Sequence, residues 1–254
     1  MNLVTFNPFR TIGIPGIDYV KPEKMFEERL KIEQADLCLF PENWQATSLT
    51  YGFKKQIFPS IESIQLGYSK IEMTRAFWAV CADHVPKTVI LGTSRHTIDQ
   101  VLHSFSFPFV AKTVRSSMGQ GVFLIKNKSE FIEYAKNHDV LYVQEYIENI
   151  RDLRLCVIGT KVVTSYWREN KAFHNNVAQG GAISFDDIPQ EAIDLVEDIA
   201  KQLNINHAGF DIIVTDDKLY LLEFNTLFGN QGFHEQGLRA EDFIYTYIKE
   251  SVTN

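Results

Sequence analysis

The sequence predicts a mixed α/β (α+β) fold, and three observations carry that expectation. Stretches with helical apolar spacing, at residues 69–81 and 189–203, alternate along the chain with short β-branched or period-two runs. Two pairs of such runs lie close enough in sequence to form hairpins, residues 210–215 with 219–224 and residues 109–114 with 121–125. A chain of 254 residues with 45% hydrophobic content also buries a substantial core, as one large domain or two to three small lobes.

In chain order, residues 1 to about 65 form a small α/β unit: a strand at 2–6, a Gly and Pro loop at 13–16, a helix around 22–34 and a strand at 36–40. This unit carries no recognisable catalytic pattern. Residues 69–81 have a helical rhythm in Ile71, Thr74, Phe77, Trp78 and Cys81, with Ser69 as cap and Glu72 completing a capping box. Lys70 then sits in the first turn, where it opposes the helix macrodipole unless an anion lies close by. A strand at 88–91 and a short helix at 97–104 follow.

The stretch FPFVAKTVRSSMGQGVFLI, residues 107–125, places a Ser and Gly loop at 115–120 between two antiparallel strands. Gly119 and Gly121 are followed by a strand rather than a helix, so neither a P-loop nor a dinucleotide fingerprint applies. Hydroxyls and open backbone N–H groups in such a loop are nevertheless the donors that phosphate oxygens require, and Lys112 on the incoming strand supplies a point charge. An ordinary hairpin turn is the alternative.

Residues 141–146 are an apolar run ending in Gln144, Glu145 and Tyr146, followed by Ile147. Then come Asp152 and Arg154, a strand at 155–158, a Gly159 and Thr160 turn, a strand at 161–166 and Arg168. The polar loop AFHNNVAQGG occupies residues 172–181, and residues 189–203 and 240–250 read as packing helices.

The most informative stretch is HAGFDIIVTDDKLYLLEFNTLFGNQG, residues 207–232. If Asp216, Asp217 and Lys218 form a three-residue loop, Asp211 lies opposite Glu223, and period-two alternation puts Asn225 on the same face. A two-residue turn would shift the register by one and send Glu223 to the other face. Carboxylate and amide oxygens converging without His or Cys suit Mg²⁺, which keeps water and nucleotide phosphates in its octahedron. A solvent-facing polar stripe is the alternative for an isolated hairpin.

Composition narrows the function. A net charge of −7 and a pI near 5.5 argue against an extended nucleic-acid surface. Cys38, Cys81 and Cys156 are odd in number and widely spaced, giving neither a disulfide framework nor a zinc spacing, and they read as buried thiols. The N-terminal MNLVTFNPFRTIG lacks a basic n-region followed by an apolar h-region and no apolar run approaches membrane-span length, so a reducing cytoplasmic location with no membrane partner is expected.

Taken in order, Lys70, Lys112, the Ser and Gly loop, Gln144-Glu145-Tyr146-Ile147, Asp152-Leu153-Arg154, Arg168, Asn176 with Gly180-Gly181, Asp211, Glu223 and Asn225 resemble the ATP-grasp superfamily. The likeness is greatest to RimK-like and LysX-like carboxylate–amine ligases. It implies an ATP-grasp fold, two α+β lobes gripping ATP after a short N-terminal α/β domain. The division it implies is 1–68 for that domain, 69–143 for the small lobe with its lid loop and 144–254 for the large lobe. It implies that Lys70 and Lys112 contact nucleotide phosphates, and that Ser116, Ser117, Gly119 and Gly121 belong to the lid. Gln144, Glu145, Tyr146 and Ile147 would meet the adenine and Asp152 the ribose, with Arg154 also in the nucleotide site. Arg168 and Asn176 match positions near the γ-phosphate and the reacting carboxylate. Asp211, Glu223 and Asn225 match the ligands of Mg²⁺, or alternatively Mn²⁺.

The implied reaction is formation of an amide or peptide bond through an acyl phosphate, with ATP consumed to ADP. Carboxylate and amine substrates would be small molecules or peptides, and a homo-oligomer is admitted. Alternatives are a kinase or ligase of this fold acting on another carboxylate, and an ATP-binding regulatory or scaffold protein without turnover. Two departures stand out: Ser116 where the family's lid usually has Gly, and His174 and Gln179 where the family's loop carries basic residues.

Overall fold

The computed structural model describes residues 1–115, 121–149, 151–169 and 182–253. Three sheets follow one another along the chain. The first is parallel, with order β2-β1-β3-β4 from β1 (Leu3–Thr5), β2 (Ile17–Tyr19), β3 (Leu37–Leu39) and β4 (Gln56–Phe58). Every residue of β1 and β3 is buried, Thr5 included, as central strands of a parallel sheet covered on both faces are. The helix expected at 22–34 is shorter: only α1 (Arg29–Gln34) is α-helical, after a 3₁₀ turn at Pro22–Lys24. A second short helix, α2 (Asn43–Thr47), precedes β4.

Two helices then lead to the small lobe. In α3 (Ile61–Tyr68) the Ser60 hydroxyl accepts from the amide of Ser63 at 3.1 Å. In α4 (Lys70–Cys81) Ser69 caps the amide of Glu72 at 3.5 Å, but the expected box does not close, because the Glu72 carboxylate instead accepts from Arg75 at 3.3 Å. The small lobe is an antiparallel sheet of order β5-β8-β6-β7, from β5 (Thr88–Gly92), β6 (Phe109–Lys112), β7 (Val122–Ile125) and β8 (Val140–Glu145). Helices α5 (Arg95–Ser104) and α6 (Lys128–Lys136) cover it, enclosing Val101, Phe105, Phe109, Phe131 and Leu141.

The large lobe is an antiparallel sheet of order β11-β10-β9-β12-β13, from β9 (Arg151–Ile158), β10 (Lys161–Glu169), β11 (Ile183–Ser184), β12 (His207–Val214) and β13 (Leu219–Asn225). Leu153, Leu155 and Val157 of β9 and Ala208, Phe210 and Ile212 of β12 point to one face. There they meet Ala192, Val196 and Ile199 of α7 (Gln190–Gln202) and Met73, Phe77 and Cys81 of α4. The expected division put α4 in the small lobe; its apolar stripe packs instead in the large lobe's core.

The opposite face of the large sheet is only partly covered. At one end Cys156, Ile158 and Tyr166 pack against Leu37, Leu39 and Phe58 of the N-terminal sheet and Ile244 and Ile248 of α9 (Ala240–Thr253), which follows the short α8 (Gln231–Glu235). His207 belongs to this contact. Its ring stacks on Phe228 at 4.6 Å and meets Phe40 and Phe58 edge-on, its Nδ1–H donates to Thr226 O at 2.7 Å, and burial pushes its pKa down to about 3. It is a neutral packing group. The other end of that face carries charge. Cys38, Cys81 and Cys156 are free, buried thiols, as expected, and among the described residues no helix is long and apolar enough to cross a membrane.

Candidate active site

The β12–β13 hairpin reaches the anticipated pairing by an unanticipated route. Val214 pairs with Leu219, and Thr215 N–H donates to Lys218 O at 2.9 Å, so the turn is the tight one that would turn Glu223 away. A β-bulge corrects it: Ile212 pairs with Leu221 but Asp211 with Glu223, leaving Leu222 as the extra residue. Leu219 and Leu221 before the bulge and Phe224 after it all enter the core, while Glu223 and Asn225 turn to the opposite face. The sequence trace of this phase change is the adjacent pair Leu221 and Leu222, which breaks strict alternation.

On that face, ladder pairing aligns Tyr166, Arg154, Asp211 and Glu223 across four strands, with Arg168 opposite Asp152 in the neighbouring row. Arg154 holds Asp211 bidentately, through Nε at 2.5 Å and Nη2 at 3.0 Å. Arg168 donates to both oxygens of Asp152, at 2.7 and 2.8 Å, and its Nη2 also reaches Asp211 Oδ1 at 2.8 Å. Two buried cations and two buried anions thus cancel. Breaking such a buried pair from one side costs about 3–5 kcal/mol. The two carboxylates hold the Arg168 pKa above its already high normal value despite burial.

Gly209 was not evident as a site residue. A Cβ there would lie 2.6 Å from Arg154 Nη1 and 3.0 Å from Phe228 Cβ, so the missing side chain is the space in which Arg154 lies. A lone glycine inside a strand pattern was the available signal.

Lys70 and Lys112 face this surface. Lys70 Nζ lies 3.6 Å from Glu223 Oε2, which supplies the anion that a lysine at a helix start requires. Lys112 differs: its Nζ donates to the neutral Gln144 Oε1 at 2.8 Å, and Gln144 Nε2 donates to Thr88 Oγ1 at 2.9 Å. Burial lowers the Lys112 pKa to about 8, the Glu223 carboxylate raising and the Lys70 ammonium lowering it, with Asp211 raising it less. Tyr142, whose hydroxyl bonds Thr74 of α4 at 2.7 Å, ties the small lobe to the helix that carries Lys70.

Other expected residues are placed as follows. Glu145 ends β8 and its Oε1 accepts from Lys87 N–H at 2.6 Å; Tyr146 and Ile147 follow it, half-buried. Gly121 has φ +75° and its carbonyl accepts from Thr113 N–H at 2.7 Å. Asp152 is 2% exposed, and both its oxygens accept from Arg168. Ser116, Ser117, Gly119 and Asn176 lie outside the described residues.

The donor set fits a hard divalent cation. A carboxylate has about four lone-pair positions. Three on Asp211 accept from arginines, leaving Oδ2 one position for a single metal bond. Glu223 and Asn225 are half-buried and adjacent, Asn225 Nδ2 donating to Glu223 Oε1 at 3.4 Å. Among the described residues no group of three or more His, Cys, Asp or Glu is placed to hold a metal, so the candidate set is two carboxylates and an amide.

Comparison with known proteins adds to this geometry. The pattern of the RimK-like ATP-grasp domain matches residues 82–248. The coenzyme γ-F420-2:α-L-glutamate ligase of Methanocaldococcus jannaschii is 29% identical over 164 residues, which are 61% of this chain and 57% of that protein. The chain therefore spans little more than half the length of the curated relatives it matches. Among solved structures, a RimK-domain ATP-grasp protein of Sphaerobacter thermophilus superposes with a TM-score of 0.75 at 13% identity, covering 97% of this chain and 99% of that one. The D-alanine–D-alanine ligase of Bacillus anthracis complexed with ATP gives 0.73 at 14% identity, covering 100% and 98%. At such identities these structures speak for the fold.

Proposed function

The chain belongs to the RimK-like ATP-grasp family, and from that premise we propose that it is an ATP-dependent carboxylate–amine ligase that forms ADP. One observation carries the reading. The cross-strand pair Asp211 and Glu223, with Asn225 two residues on, shares a sheet face with Arg154 and Arg168 and is faced by Lys70 and Lys112. Oxygen donors and cations so arranged suit a triphosphate. The likeness to α-L-glutamate ligases supports the bond type.

In the proposed reaction a carboxylate oxygen attacks the γ-phosphorus of ATP and ADP leaves, giving an acyl phosphate. An amine nitrogen then attacks the acyl carbon, phosphate leaves, and the nitrogen loses a proton to form the amide. Catalysis rests on positioning and charge neutralisation. Lys112, Lys70 and Arg168 offset phosphoryl charge, Gln144 orients Lys112, and residues 144–147 hold the base, with Arg154 fixing Asp211. Asp211, Glu223 and Asn225 would hold Mg²⁺, which supplies charge neutralisation on the phosphates when bound. The lid residues Ser116, Ser117, Gly119 and Gly121 and the loop residue Asn176 keep the roles implied by their positions in the sequence. Substrates would be a small-molecule or peptide carboxylate and amine.

The test is ADP and phosphate release from ATP and Mg²⁺ across a panel of amino acids and short peptides, with mass spectrometry of the coupled product. ADP that appears only when both an acid and an amine are present supports ligation. Tight ATP binding without ADP across the whole panel would leave an ATP-binding regulator as the better reading.

A further inference from the structure

Strand β13 and its ladder end at Asn225, and Thr226, the residue after it, is held from two sides instead. Its carbonyl accepts from His207 Nδ1–H at 2.7 Å, and its hydroxyl donates to the carbonyl of Ser63, inside α3, at 2.6 Å. A carbonyl oxygen has two lone pairs, so Ser63 can accept this bond beside its helical one. Gly67 stands one turn further along α3. A Cβ there would collide with Thr226 Oγ1 and lie 3.2 Å from Phe224 Cε2. Glycine is a poor helix residue, and this close approach is the reason for one here: a side chain would push the hydroxyl off the carbonyl that it reaches. The start of α3 is itself anchored, Ser60 N–H donating to Asn206 Oδ1 at 2.7 Å, Ser60 Oγ to Asn204 O at 2.7 Å and Asn206 N–H to Ser63 Oγ at 3.0 Å. The helix is therefore the fixed body and the end of β13 the part that is held.

We propose that Thr226 is a positioning residue for the divalent cation: clasped to α3 through the space that Gly67 leaves, it fixes the end of β13 so that Asn225 and Glu223 present their oxygens together. The identity of that cation as the Mg²⁺ of a nucleotide rests on the ligase reading above; the clasp itself does not. Groups that orient metal ligands without touching the metal typically change its affinity when removed. Lys70 does not depend on the clasp, because α4 is held by Met73, Phe77 and Cys81 in the large lobe's core and by the bond from Thr74 to Tyr142. Loosening Thr226 thus disturbs the metal ligands and leaves the lysine in place.

The test is titration calorimetry of the full chain with the β,γ-imido analogue of ATP and no acceptor, once with Mg²⁺ and once with EDTA. Thr226→Val keeps the shape and loses the donor, Gly67→Ala blocks the donor's path, and Thr226→Ser keeps the donor. The clasp predicts that the first two weaken binding in Mg²⁺ by about 10-fold and leave binding in EDTA unchanged, while Thr226→Ser binds as wild type does in both. Equal weakening with and without Mg²⁺, no weakening in either, a serine variant as weak as the valine one, or a wild type indifferent to Mg²⁺ would overturn it. If circular dichroism finds Thr226→Val unfolded, Gly67→Ala is judged in its place by the same criteria. Wild type that fails to bind the analogue in Mg²⁺ would overturn both this proposal and the ligase reading. Wild type that binds it, yet releases no ADP from ATP with any acid and amine, would remove the ligase reading alone and leave the variants to decide on Thr226.

Discussion

The two sheets that face the candidate site treat charge in opposite ways. On the large sheet Asp152, Asp211, Arg154 and Arg168 neutralise one another through short, mostly bidentate bonds, and Glu223 is matched by Lys70. On the small sheet Lys112 is buried against a neutral amide. The first arrangement is a rigid framework whose charges are spent holding shape. The second keeps a cation poorly solvated until an anion arrives, so its burial cost is relieved by binding. Preorganised charge of this kind is worth more than the same charge in water.

Each side of this contrast can be broken separately. The largest effect is expected where each side meets the substrate: Lys112→Ala and Glu223→Ala should each lower ADP formation by about 10³-fold while leaving the circular dichroism unchanged. Unchanged turnover in both would undo the functional reading. Deleting Leu222 should come next: with the extra residue gone, Glu223 still pairs with Asp211 and stays on the site face, but the change in local twist shifts its carboxylate, for a fall in ADP formation of about 10²-fold at a nearly unchanged melting temperature. Unchanged ADP formation would mean that the bulge does not aim Glu223. Gly209→Ala tests the framework more gently. The added methyl must displace Arg154 or Phe228, for about 1–3 kcal/mol by denaturant titration.

Smaller effects sharpen the comparison on the small sheet. Gln144→Glu would give Lys112 the counter-charge that the large sheet gives its arginines, and should weaken ATP binding by about 10-fold in calorimetry. The pH dependence follows from the Lys112 pKa, lowered to about 8 chiefly by burial. The protonated form attracts phosphate, so kcat/KM for ATP should be level below about pH 8 and fall above it. Stability runs the other way. The folded state binds fewer protons than the unfolded state between about pH 8 and the ordinary lysine value, so stability rises with pH across that window. Lys112→Met should remove both trends.

Much of this site is legible in the sequence because its residues sit at element starts and in short hairpins. Ser69 before a helical rhythm announces Lys70 in the first turn, and alternation around residues 109–112 puts Lys112 on a strand. Other features were hidden because they depend on partners far away in sequence. Glu72 was expected to close a capping box and turned to Arg75 instead. The helix carrying Lys70 joined the large lobe's core, since its stripe of Met73, Phe77 and Cys81 fits either neighbour by composition and one by contact. Asp152 and Arg168 stand 16 residues apart in the sequence, and only the ladder brings them opposite each other.

By itself the sequence determined the class of fold, the hairpins and the residue types at the site, since periodicity and turn chemistry act over a few neighbouring residues. The tertiary structure alone decided which charges cancel among the described residues, and that Lys112 is buried against a neutral amide. It also decided that Glu223 faces Asp211 despite a tight turn, through one bulged leucine. Both outcomes depend on pairing through space, where a single residue of register turns a side chain from core to cleft.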